Sequence, residues 1–167
     1  MYDELTKIDI QKMQEELEYC TKTLRPEIIE EVKRTRAFGD LSENYEYKAA
    51  KQAQRQNDSR MRYLENMIKT AKVINDDASA DQVGLFDKVT VYLEEDDEEN
   101  VIQVVTTVRC DPAKGYISKE SPLGKAVLGK KVGDRVTIHV SSDYSYDLVI
   151  RKLEKGEDNG DAPLMQY

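Results

Sequence analysis

Apolar residues recur at helical intervals early in this chain: Met13, Leu17, Cys20, Leu24 and Ile28 follow one another every three or four positions, and Val32 continues the stripe. Glu and Lys fill the other faces, so the pattern predicts an amphipathic helix. Pro26 interrupts it, and because the residues after it are strong helix formers the expectation is a bend or restart near residue 25. Further along, Ala50, Asn57, Leu64 and Ala71 repeat every seven residues, accompanied by Ala53, Met61, Met67 and Ile68. These are coiled-coil seam positions. The connection between the two stretches, FGDLSEN, is short, so the helices must run antiparallel. Ala49, Ala50 and Ala53 beside the turn let them approach closely. With roughly 26 to 29 residues per arm, the hairpin should extend about 40 Å.

From Val83 the period changes to two. KVTVYL at 88–93, VIQVVTTV at 101–108, RVTIHV at 135–140 and YDLVIRKL at 146–153 alternate apolar and polar residues and predict strands. The acidic run EEDDEEN at 94–100 reads as the loop of a hairpin, solvated rather than metal-binding. SPLGKAVLG at 121–129 predicts a short helix with Ser121 as N-cap, Pro122 at the first helical position and Gly129 at its end. The predicted fold class is therefore α+β: an antiparallel α-helical coiled-coil hairpin over residues 1–75, a linker at 76–84 and a small α+β domain at 85–155. Residues 156–167 are polar and Gly-rich, and are expected to be disordered.

Charge sharpens this division. Residues 1–75 carry 14 Lys/Arg and 14 Asp/Glu, whereas residues 76–167 carry 11 and 19, so the whole net charge of -8 lies in the second part. Such a protein is a poor general binder of duplex DNA, where affinity comes mostly from phosphate neutralisation, and any nucleic-acid contact should be local. No stretch approaches the roughly 20 apolar residues that cross a bilayer, and the start of the chain lacks a basic region followed by an apolar one. No membrane association and a cytoplasmic location are expected. Two cysteines, Cys20 and Cys110, make neither a disulfide framework nor a zinc site. The single histidine, His139, lies in an alternating run, so a histidine-based triad has nothing to build with.

Asp40 and Glu43 lie in the turn between the helices and invite two readings. In one, Gly39 ends the first helix, Asp40 caps the second and Glu43 completes a variant of the capping box. In the other, the two carboxylates converge on a divalent cation. Hard oxygen ligands suit Mg²⁺, which keeps waters and takes one or two carboxylates together with groups from a substrate or partner. Two exposed acids then make half a site, and the hairpin would carry it into another molecule that supplies the rest.

Three blocks carry a resemblance: R-x-x-GDLSEN-x-EY-x-x-AK-x-x-Q at Arg36 to Gln54, RPEII at 25–29, and YIS-x-x-SPLGKA-x-LGKKVGD at 116–134. Together they resemble the Gre transcript cleavage factors of bacterial RNA polymerase, over roughly residues 5–154. The resemblance implies an N-terminal coiled coil and an FKBP-like second domain. It further implies binding at the polymerase secondary channel and action on the 3′ end of backtracked RNA. It also implies a factor that acts as a monomer and is not an enzyme on its own. On this basis Asp40 and Glu43 correspond to the acidic pair that helps hold the second Mg²⁺ of the polymerase active site. Asn44 and Tyr47 match the same motif and position the tip, and Arg36, Lys51 and Arg55 fall where they could hold RNA phosphates. FKBP-like shape does not make the second domain a prolyl isomerase, and only two Phe and no Trp argue against an aromatic-lined proline pocket. The rival reading is a regulator of the same fold that occludes the channel without promoting cleavage. The intact GDLSEN favours cleavage.

Overall fold

The first apolar stripe folds as a helix that is broken and resumed in the computed structural model, which describes residues 3–39 and 43–166. Helix α1 (Lys7–Tyr19) begins at a capping box in which Thr6 Oγ1 accepts from the Asp9 amide at 3.2 Å and Asp9 Oδ2 accepts from the Thr6 amide at 2.9 Å. It passes into a single π-helical stretch, Cys20–Leu24, where the Arg25 amide donates to the Cys20 carbonyl, and then into α2 (Arg25–Arg36). The bend expected near residue 25 thus takes the form of a π turn. Pro26 has no N–H to donate and its ring would collide with the carbonyl one turn back, so the helix widens just before it.

Helix α3 (Tyr45–Thr70) returns with Ala50, Asn57, Met61 and Leu64 buried, the residues of its heptad stripe. Cross-arm contacts give the direction of pairing. Asn44 reaches Thr35, Asn57 reaches Cys20, and Arg60 forks onto Glu16 with bonds of 2.6 and 3.1 Å. As the second arm advances its partners recede along the first, so the arms are antiparallel. At the base, strands β1 (Glu4–Leu5) and β2 (Lys72–Val73) pair, and the Lys72 amide donates to the Asp3 carbonyl at 2.9 Å.

Asn57 is a polar residue inside an apolar seam. Its Nδ2 donates to the Cys20 carbonyl at 3.1 Å, beside the π turn, whereas its buried Oδ1 has no hydrogen-bond partner. A buried amide at a seam position fixes register at a cost in stability. Asn57→Leu should therefore stabilise the chain by about 1 kcal/mol, because it removes an unsatisfied acceptor and fills the same space with carbon. Thermal melting of the two proteins checks this, and a lower midpoint for the leucine variant would contradict it. Cys20 is 4% exposed next to this joint, and burial followed by the Glu16 carboxylate pushes its thiol pKa up, away from reactivity.

The chain divides into two compact units, Met1–Lys72 and Val73–Tyr167. The second is built on a five-stranded sheet of β3 (Lys88–Leu93), β4 (Glu98–Val105), β5 (Tyr116–Ser118), β6 (Arg135–His139) and β7 (Ser145–Glu154), in the spatial order β5-β4-β3-β7-β6. All neighbours are antiparallel except β4 and β5. Alternation puts Val89, Val91, Ile102, Val104, Val136, Ile138, Leu148 and Ile150 into one core, with Val127 from helix α4 (Pro122–Val127). Ser121 Oγ caps α4 by accepting from the Gly124 amide at 3.0 Å, and Gly129 follows with φ +78°. The fold class is α+β.

Four expectations are corrected. Residues 76–84 are not a plain linker, because Val83 is 1% exposed within the core and bonds through its backbone to Lys130 and Gly129. The acidic run does not stay in the loop: Glu98, Glu99 and Asn100 extend β4, which in turn ends at Val105 rather than 108. Arg151 explains their tolerance of the strand. It lies 3.8 Å from the centroid of the Tyr92 ring and bonds Glu99 at 2.6 Å, so a cation from β7 reaches across β3 to neutralise β4. The strand β5 is only three residues long and has no period to read. Residues 156–166, expected to be disordered, are seated on the second unit: Ala162 and Leu164 are buried and the Met165 amide donates to the Val108 carbonyl at 2.7 Å. Tyr167 lies outside the described residues.

Candidate functional site

Among the described residues, one side chain used twice ties the end of α2 to the start of α3. Asn44 is the N-cap of α3, its Oδ1 accepting from the Tyr47 amide at 3.0 Å, and its Nδ2 donates to the Thr35 carbonyl at 2.6 Å in the last turn of α2. Thr35 is fully buried and its hydroxyl donates back to the Glu31 carbonyl at 2.8 Å. The start of one helix is thereby fastened to the end of the other. Past Ala37, the α2 C-cap, Gly39 has φ +105°, the left-handed region that glycine enters without strain.

The cap expected at Asp40 is therefore at Asn44, and Glu43 precedes the helix by two residues instead of completing a capping box. Asp40 lies outside the described residues, with Leu41 and Ser42. Glu43 is exposed and sits directly before the doubly bonded Asn44, so its carboxylate is presented from a fixed backbone into open surroundings. Tyr47 is half-buried on the first turn of α3. Of the basic residues, Arg36 is the exposed last residue of α2. Lys51 and the exposed Arg55 occupy successive turns of one face of α3, with Lys51 Nζ donating to Gln54 Oε1 at 2.9 Å.

Two aromatic rings escaped the sequence reading. Phe38 is 58% and Tyr45 81% exposed, one on each side of the acidic stretch. Arg34 lies 5.2 Å from the Phe38 ring and Lys48 5.7 Å from the Tyr45 ring. Arg34 also bonds Glu31, and that bond holds the Glu31 carboxyl below the usual carboxylate range. Only an exposure measurement finds such rings, because in sequence they look like ordinary hairpin apolar residues.

Replacing Asn44 with alanine should cost about 2 kcal/mol, one cap and one buried carbonyl bond. Amide hydrogen exchange would locate the loss at Tyr47 and Lys48. Unchanged protection there would contradict the role of Asn44 as the fastening.

Two family models fit the chain in order: the N-terminal domain of transcription elongation factors GreA and GreB matches residues 4–73, and the C-terminal domain of the same factors matches residues 78–155. The chain belongs to the GreA/GreB family of transcription elongation factors. It is 47% identical over 137 residues to the transcription elongation factor GreA of Thermoanaerobacter pseudethanolicus, a match covering 81% of this chain and 87% of that protein. Against GreA of Streptococcus pneumoniae the figure is 41% over 152 residues, covering 90% and 94%. Among solved structures, the GreA factor homolog 1 (Gfh1) of Thermus thermophilus is 22% identical with a TM-score of 0.42, covering 93% of this chain and all of that one. The loop between α2 and α3 is the candidate site. Among the described residues no group of three or more His, Cys, Asp or Glu is arranged to hold a metal ion, and no helix is long and apolar enough to cross a membrane.

Proposed function

We propose that this Gre-family factor binds bacterial RNA polymerase at its secondary channel and stimulates the polymerase's own cleavage of backtracked RNA. Family membership supports RNA polymerase as the partner. The observation that carries the cleavage reading is the exposed carboxylate of Glu43, set beside an asparagine that binds both helices.

The donor set fits a shared magnesium site. Glu43 offers hard carboxylate oxygens without a protein cage around them, which suits an ion that keeps its waters and takes further ligands from a second molecule. Bound there, such an ion would supply Lewis-acid stabilisation of the charge that develops in phosphodiester hydrolysis. Glu43, with Asp40, would contribute ligand oxygens to it and orient the attacking water. Asn44 holds the loop so that this is done without reorganisation. Arg36, Lys51 and Arg55 bind phosphates of the extruded RNA 3′ segment.

RNA incubated with this protein and Mg²⁺ alone should stay intact, while the same protein added to arrested polymerase complexes releases short 3′ fragments. Arg36→Ala or Lys51→Ala should weaken that release most on long backtracked segments, since only these extend along the helices. Equal losses at every backtrack length, in a gel assay of defined complexes, would contradict an RNA-holding role.

A further inference from the structure

We propose that Phe86, Val108 and Arg109 form a peptide-recognition groove on the second unit, and that residues 158–164 of this chain fill it as an exchangeable ligand. Arg109 is the largest fully buried side chain among the described residues. A guanidinium cannot shed its charge, so it enters an interior only with partners. One partner is the Phe86 ring, whose centroid lies 4.7 Å from the guanidinium carbon. Two others come from the strap formed by residues 156–166: the Asp158 carboxylate accepts from Nη1, and the Ala162 carbonyl accepts from Nε at 2.8 Å. The Val108 carbonyl takes the Met165 amide, and Leu164 is buried alongside.

The strap behaves as a preformed ligand. Asp158 Oδ1 accepts from the Gly160 amide at 3.0 Å and Asn159 Oδ1 from the Asp161 amide at 3.1 Å, so a local turn presents the second Asp158 oxygen to Arg109. The strap leaves the domain at a defined point. The buried Asp87 holds Lys155 Nζ at 2.5 Å and the Gly156 amide at 2.8 Å, after which Glu157 is exposed. The match to the family's C-terminal domain ends at residue 155, so the strap lies outside the matched domain.

Seating is incomplete in a way that core packing is not. A cavity of about 110 Å³ remains between Lys88, Gln103 and Tyr116 on the sheet side and Asn159, Asp161 and Ala162 of the strap. Lys88, Asn159 and Asp161 in its lining are exposed, so the space opens to solvent and water can enter between the strap and the sheet, which makes this contact easier to open than the sheet beneath. The groove reads three features: a carboxylate, a carbonyl four residues on, and an apolar side chain two residues after that.

The test uses the full chain carrying Asp158→Ala and Leu164→Asp, which unseats the strap, and a labelled synthetic peptide of residues 156–167. The variant should bind the peptide saturably in fluorescence anisotropy. Wild type, whose groove is filled by a tethered copy, should bind at least about tenfold more weakly. A peptide with Asp158→Ala should lose at least about tenfold in affinity. A folded variant that ignores the peptide, or binds both peptides equally, overturns the proposal. Hydrogen exchange on the unaltered chain serves where the variant does not fold: the Met165 amide should exchange at least about 100-fold faster than that of Ile150, through local opening. Equal protection would make the strap part of the core and overturn the proposal. None of these measurements involves polymerase, so they stand or fall apart from the transcription reading.

Discussion

Replacing Asp40 and Glu43 together by alanine should reduce stimulated transcript cleavage by at least about 100-fold, the scale on which a single preorganised group at a developing charge is lost in enzyme sites. The fold should not notice. Among the described residues, Glu43 is exposed and lies before the capping residue, while the bonds that tie the end of α2 to the start of α3 come from Asn44. Stability should therefore stay within about 0.5 kcal/mol of wild type, as for surface substitutions generally. Polymerase binding should also persist, so the double variant competes with wild type and inhibits its action. Glu43→Gln is the informative single change: it keeps the shape and one acceptor oxygen but removes the charge a cation needs. Full activity in the glutamine variant would assign Glu43 a contact role rather than a metal one.

Gly124→Ala should be the most damaging addition of one methyl group. A Cβ there would lie 2.1 Å from the Ser118 carbonyl oxygen, 2.9 Å from its carbon and 3.0 Å from Lys119 Cα, all of them backbone atoms that cannot swing aside. Helix propensity favours alanine by about 1 kcal/mol, far too little to offset moving α4 off the end of β5. The expected cost is about 3 kcal/mol or more, read as an earlier unfolding transition in urea. Gly39 is the contrast. A Cβ there meets nothing within 4 Å, but φ is +105°, so Gly39→Ala should cost only about 1 kcal/mol, in conformational strain. A midpoint unchanged by Gly124→Ala would mean that α4 can shift without loss.

The seam and the strands were legible because burial imposes a period. Every fully described heptad residue from Ala50 to Leu64 faces the partner helix, and the β3, β6 and β7 runs were read to within a residue. The π turn was foreshadowed by Pro26, although proline alone does not specify how the helix yields. The cap was misread for a physical reason. Asp-x-x-Glu and Asn-x-x-Tyr both satisfy the geometry of a helix start, and the bond from Asn44 to Thr35 that decides between them spans nine residues. The strap was missed because its composition is that of a disordered segment. What orders it is one buried cation some fifty residues earlier, and Arg109 gives no sign in sequence that it is inside. The hairpin 140–144 joins β6 to β7. It closes without glycine because Ser141 Oγ accepts from the amides of Asp143 and Tyr144, at 3.3 and 3.1 Å, and supplies the turn chemistry itself.

The proposed role of the loop between α2 and α3 is to complete a polymerase metal site. The most direct measurement is transcript cleavage in purified, artificially backtracked bacterial elongation complexes with Mg²⁺, comparing wild type, Asp40→Ala/Glu43→Ala and no protein. Rapid release of short 3′ RNA fragments with wild type alone is the expected result. Nucleotide addition slowed by wild type, with no acceleration of cleavage over the protein-free complex, would contradict it and identify a factor that occludes the channel.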